Sequence, residues 1–180
     1  MNCVKCTVGK RIIPTYPEPA AEELPMFAEN RVHQRTSGRP YPNNVVLRVN
    51  REEKIDRAYT VVTLENEYLK IEILPEIGGR IYSALDKTTG YDFFYKQHVI
   101  KPALIGVLGS WISGGVEFNW PFHHRASGFM PCDFVTETLP DGTAVCHLSE
   151  HDPIDRMKGM VSIVLRPGEK RFETRMRLYN

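Results

Sequence analysis

Two apolar runs between Tyr59 and Leu74 flank Glu65-Asn66-Glu67, and in the second Leu69, Ile71 and Ile73 alternate with Lys70 and Glu72. An alternation of period two marks a strand with one buried and one wet face. Tyr59–Leu64 and Tyr68–Leu74 are therefore read as a hairpin, ended by Pro75. The pattern recurs along the chain. Arg80–Leu85 and Tyr91–Tyr95 flank Asp86-Lys87-Thr88-Thr89-Gly90, a turn by composition. Phe134–Thr138 and Thr143–Glu150 flank Leu139-Pro140-Asp141-Gly142, and Met160–Arg166 and Arg171–Tyr179 flank Pro167-Gly168-Glu169-Lys170. Val161, Ile163 and Leu165 share one face. So do Phe172, Met176 and Leu178, with Glu173, Arg175 and Arg177 opposite. No long amphipathic helix is legible. Short strands at close spacing with turn signals between them predict a mainly β chain folded as an antiparallel β-sandwich.

Prolines at 14, 17, 19, 25, 40 and 42 break any helix or central strand in the first quarter. Residues 1–44 are read as an irregular Pro-rich segment packed on a body spanning 45–180. Gly78-Gly79 allows a bulge or a close backbone approach. The last strand pattern runs up to Asn180 without a turn, so the domain is expected to continue beyond it and to leave an exposed sheet edge.

Composition narrows the classes. With 180 residues, 42% of them apolar and 25% charged, the chain can bury one good core. Its net charge of +1, with Lys and Arg spread along the chain, argues against nucleic acid as a partner. No apolar run approaches the roughly 20 residues of a membrane helix, and the first residues lack a signal-peptide apolar core. A cytoplasmic location is expected. Cys3 and Cys6 form a CxxC, but Cys132 and Cys146 do not supply the second half of a zinc site. The four cysteines are read as thiols in a reducing compartment, and neither a metal nor a cofactor is expected.

Trp111–Arg125, WISGGVEFNWPFHHR, carries the chemistry. Aromatic faces can bury the C–H face of a sugar ring, while Glu, Asn, His and Arg bond hydroxyls or move protons. If Val116–Trp120 is extended, Glu117 and Asn119 point to one face and Phe118 and Trp120 to the other. Pro121 then stops the ladder and Phe122–Arg125 forms a rim. Glu117 is the candidate hydroxyl ligand or base, and His123 or His124 the candidate acid. Trp111 and Trp120 are candidate stacking walls, and Asn119 and Arg125 candidate substrate-binding groups. Asp133 is the nearest second acid, or caps a turn. Glu150, His151 and Asp152 are read as a solvated loop. Each of these residues also has a structural reading: Gly114-Gly115 as a turn, Phe118 and Trp120 as core, one of the two His as a satisfied interior side chain.

The run LENEYLKIEILPEIGGRIYSALDKTTGYDFFY, followed by KPALIGVLGSWISGGVEFNWPFHH, resembles the family catalogued as domain of unknown function 5107. The early PTYPEP and PMFAENRVHQRTSGRPYP segments fit it too. Its members are bacterial proteins often fused to C-terminal tetratricopeptide repeats, and are similar to the galactose-mutarotase-like β-supersandwich superfamily. The resemblance implies a larger supersandwich of which these residues are the N-terminal part, a carbohydrate ligand, and tetratricopeptide repeats as a partner within the full-length protein. It leaves open an aldose-epimerase-like activity, a glycoside-hydrolase-like activity, or a non-catalytic binding or structural role. Mutarotases use a carboxylate base, a His acid and a substrate-binding Arg. Arg80, in the GGR motif, resembles that arginine by its place after an early strand, with a structural ion pair as its alternative.

Overall fold

The structure is a computed structural model that describes residues 3–20, 48–104, 110–120, 126–151 and 157–179. Strands β1 (Lys5–Thr15), β2 (Ile55–Glu65), β3 (Leu69–Leu74), β4 (Arg80–Asp86) and β5 (Tyr91–Asp92) form a five-stranded antiparallel sheet in that order. A small ribbon pairs β6 (Ala103–Leu104) with β7 (Ser110–Trp111). The second large sheet runs β11-β10-β9-β8, from β8 (Asp133–Thr138), β9 (Ala144–His151), β10 (Lys158–Leu165) and β11 (Phe172–Tyr179).

The two sheets bury one core between them. Val62, Leu64, Leu69, Ile71, Ile73, Ile81 and Ala84 of the first sheet meet Ala144, Cys146, Leu148, Val161, Ile163 and Leu165 of the second. Leu69, Ile71 and Ile73, and Val161, Ile163 and Leu165, are the residues that the period-two pattern assigns to one face, and burying each large one stabilises the fold by about 1.5–3 kcal/mol. The chain is thus an antiparallel β-sandwich.

The opposite face of the first sheet is covered as well. Ile13, Tyr59, Val61, Leu74, Ile77 and Tyr82 form a second cluster with Ile100 and Ile112. A bulge in β4 makes this possible. Glu72 pairs with Ser83 but Ile73 pairs with Ile81, which leaves Tyr82 as the extra residue. Ile81 and Ala84 can then both face the sandwich. The bulge therefore lies at Tyr82, while Gly78 and Gly79 take left-handed conformations in the preceding turn.

The reading of residues 1–44 as irregular gives way at Lys5–Thr15, which pairs with β2 along its whole length. Pro14 is tolerated because β1 is the sheet's outer strand, where a missing N–H leaves no ladder partner unsatisfied. Charged, exposed side chains hide its periodicity. Arg11 reaches across β2 to form a bidentate pair with Glu72, which Lys70 also contacts at 3.1 Å. Burial alone would raise the Glu72 carboxyl, yet the hydrogen bonds and charges of Arg11 and Lys70 hold it below the usual carboxylate range. The CxxC lies at the start of this strand. Burial pushes the Cys6 thiol up and that of Cys146 to about 12, so neither is a thiolate near neutral pH.

One side chain ties the two hairpin ends together. Asn66 is 6% exposed. Its Oδ1 accepts from the N–H groups of Tyr68 and Leu69 at 2.9 and 2.7 Å. Its Nδ2 donates to the carbonyls of Arg166 and Glu169, both at 2.8 Å. A residue read as a simple turn is thus a staple between sheets. No helix among the described residues is long and apolar enough to cross a membrane.

Candidate functional site

The site is assembled by two glycine pairs. Gly78 and Gly79 have φ of 64° and 67°, and Gly114 and Gly115 have φ of 92° and 68°. A side chain at Gly78 would overlap the Gly128 carbonyl, and one at Gly115 would overlap the Ile81 carbonyl. The first pair admits the segment that carries Gly128 against the start of β4. The second lets Val116 exchange hydrogen bonds with Ile81, at 2.8 and 3.2 Å. Val116 thereby continues the sheet along the edge of β4 beyond β5.

From Val116 the side chains separate as the alternation predicts. Phe118 packs against the sandwich core and Trp120, 4% exposed, lies within it. The Trp120 indole covers Gly159 so closely that no Cβ would fit there. Its ring faces are taken up by the core, so the stacking role expected of Trp120 has no surface to serve it. Glu117 points the other way, toward the outer face. Its Oε2 accepts from the Trp111 indole N–H at 3.2 Å, and its Oε1 lies over Gly128, where a Cβ would stand 2.7 Å away.

Arg80 lies beneath this pair, 2% exposed. Its Nη1 donates to the Ile112 carbonyl at 3.1 Å and to the Gly114 carbonyl. Burial lowers its pKa, and the nearby Glu117 charge offsets part of that. Arg80 is thus a clamp on the 112–114 turn, and at that depth it is not a surface group for a ligand to meet. It holds backbone carbonyls rather than forming the ion pair that was the structural alternative, and the Glu117 charge acts on it without a direct contact. Its Nε and Nη2, the Ser110 hydroxyl and the Asn119 Oδ1 are buried without a hydrogen-bond partner among the described residues. Orphaned polar atoms of this kind cost about 1–3 kcal/mol each and mark places that an ordered water can satisfy. His123, His124 and Arg125 lie outside the described residues.

The wall that holds Gly128 continues into a cleft. Met130, Pro131, Cys132, Asp133, Ser149, Glu150 and His151 line about 530 Å³ of space, part of it open to solvent. Backbone bonds from Gly78 N–H to Met130 O (2.8 Å) and from Cys132 N–H to Pro75 O (3.0 Å) fix this wall. Glu150 and His151 are the end of β9 rather than a solvated loop, and Asp133 opens β8 rather than capping a turn. Asp152 lies outside the described residues. The sequence signal for this cleft was the Glu150-His151-Asp152 cluster, whose link to Asp133 appears only when β8 and β9 pair Asp133 with Ser149. No three His, Cys, Asp or Glu side chains among the described residues are grouped so as to hold a metal.

A solved chain described as a TPR-domain containing protein from Parabacteroides distasonis ATCC 8503 shares this fold, with a TM-score of 0.82 at 22% identity. The match covers 98% of this chain and 29% of that one, so these residues span under a third of its length. The family model for domain of unknown function 5107 matches residues 38–180. The chain belongs to that family.

Proposed function

We propose that this is a carbohydrate-binding, mutarotase-like domain whose site is built on the Trp111–Glu117 turn. The observation that carries the reading is the Glu117 carboxylate, half-buried, oriented by the Trp111 indole and set over Gly128. A carboxylate held in this way suits a sugar hydroxyl, and the half-buried Trp111 ring beside it offers an apolar face. The cleft between Met130 and His151 extends the same wall, and concave, mostly apolar sites with a few convergent polar groups are where small ligands bind. Glu117 acting as base with His123 or His124 as acid would make the domain an epimerase-like or hydrolase-like enzyme. The four cysteine thiols suit a reducing, cytoplasmic setting.

A second reading is a non-catalytic domain of a larger tetratricopeptide-repeat protein. The similar solved chain, described as containing a TPR domain and more than three times as long as the matched part, favours it.

Calorimetric titration with a panel of mono- and oligosaccharides tests the first reading, beside Glu117→Gln and a His123→Ala/His124→Ala double variant. Removing a charged hydrogen-bond partner is expected to weaken sugar binding by about tenfold or more. Glu117→Gln also takes away the charge that offsets the burial of Arg80 and should lower the melting temperature, so an unchanged far-UV circular dichroism spectrum at 25 °C is the folding control. Absence of binding to every sugar, or full binding by Glu117→Gln, contradicts the reading and favours the second.

A further inference from the structure

We propose that the segment Tyr91–Tyr95 is a stacking platform for a linear oligosaccharide, extending the Trp111–Glu117 site along the surface. The inference rests on the sugar-binding reading above. Its starting point is an alternation. The odd positions present rings to solvent, with Tyr91 65%, Phe93 38% and Tyr95 72% exposed. The even positions fasten the segment. The Asp92 carboxylate accepts from the Ser83 hydroxyl, from the N–H groups of Ala84 and Phe94, and from the Lys96 ammonium at 2.8 Å. Phe94 packs on the sandwich core, edge-on to Phe172 at 6.4 Å between centroids.

The backbone is held too. Phe93 N–H donates to Ala84 O at 2.9 Å, and Tyr95 O accepts from Gly115 N–H at 2.8 Å. A fixed backbone therefore displays three large rings that the core does not use. Clustered exposed aromatics of this kind mark interaction surfaces. The segment's order lowers the entropy cost of binding, which favours an ordered platform over a loose loop.

The chemistry of the row favours a sugar chain. Tyr91 and Phe93 have ring centroids 6.4 Å apart, close to the roughly 6.6 Å between alternate residues of a strand. The two rings stand at 45° to each other, so each can take the C–H face of a sugar unit at its own angle, and the two phenol hydroxyls can bond hydroxyls of the chain. A nucleic acid would also stack, but it needs cations for its phosphates. The neighbouring lysines are committed, Lys96 to Asp92, Ser83 and the Tyr82 ring, and Lys87 to Glu65 and the Asn66 carbonyl. The row also ends one hydrogen bond from Gly115, in the turn that carries Trp111 and Glu117. A chain lying on the rings would thus lead toward the Glu117 carboxylate.

The test is calorimetry with glucose and xylose beside cellohexaose, maltohexaose and xylohexaose, on the wild type and a Tyr91→Ala/Tyr95→Ala variant. Both side chains are exposed, so an unchanged melting temperature is the folding control. At least one hexasaccharide is expected to bind about tenfold more tightly than its monosaccharide. The variant should lose that gain and keep the monosaccharide affinity. Equal affinity at both lengths, or a gain that survives in the variant, overturns the platform and leaves sugar binding at Glu117 standing. Absence of binding by all five sugars overturns both. Binding of decauridylate that the variant loses, without a hexasaccharide gain, assigns the rings to single-stranded nucleic acid and overturns the inference.

Discussion

Gly115→Ala lowers the melting temperature by about 10 °C, a loss of roughly 3–5 kcal/mol. Two costs combine there. Gly115 has φ of 68°, which an L side chain adopts only with strain, and its Cβ would overlap the Ile81 carbonyl. Relief requires Val116 to leave Ile81, which breaks the two bonds that extend the sheet past β5. Gly90→Ala is the control. Gly90 has a similar φ of 74°, but a Cβ there would meet nothing within 4 Å. Its expected cost is the strain alone, about 1–2 kcal/mol. Thermal melts of the two variants side by side separate strain from close approach. Equal losses would show that the contact between the 112–116 turn and β4 contributes nothing.

Asn66→Asp is expected to destabilise the protein by about 3 kcal/mol or more although it changes shape very little. The carboxylate keeps the acceptor for the Tyr68 and Leu69 N–H groups but loses both donors to the second sheet. It also places a negative charge against the carbonyls of Arg166 and Glu169. Asn66→Ala should lose about 2–4 kcal/mol, because all four bonds go while no charge is added. Denaturant titration checks the order. An Asn66→Asp variant as stable as wild type would refute the staple.

Most strands were legible because apolar and polar residues alternate along them, even where the polar one, as at Glu72, is buried and paired. Lys70 and Glu72 between Leu69, Ile71 and Ile73, or the shared face of Val161, Ile163 and Leu165, announce a strand before any partner is known. β1 was not legible. It lies at a sheet edge, much of it faces water, and Pro14 argues against a strand until its outer position is known. The site was half legible. The alternation through Val116–Trp120 separated Glu117 from Phe118 and Trp120 correctly. Nothing local could show that Trp120 would be sealed by Gly159 from β10, or that Arg80 would turn to the carbonyls of Ile112 and Gly114. Those contacts join residues far apart in the chain. Asn66 makes the same point, since only the second hairpin reveals what its amide holds.

The chain has two tryptophans, and the structure gives them opposite roles. Trp111 donates its indole N–H to Glu117, and Trp120 is in the core. The most direct test of a sugar site on the Trp111–Glu117 turn is therefore to follow the two indole N–H resonances by NMR during titration with the carbohydrate panel, assigning them with Trp111→Phe. The account predicts that a binding sugar shifts the Trp111 signal, leaves the Trp120 signal in place, and loses this effect in Glu117→Gln. Two stationary indole signals at saturating sugar, or a shift of Trp120 alone, would contradict it.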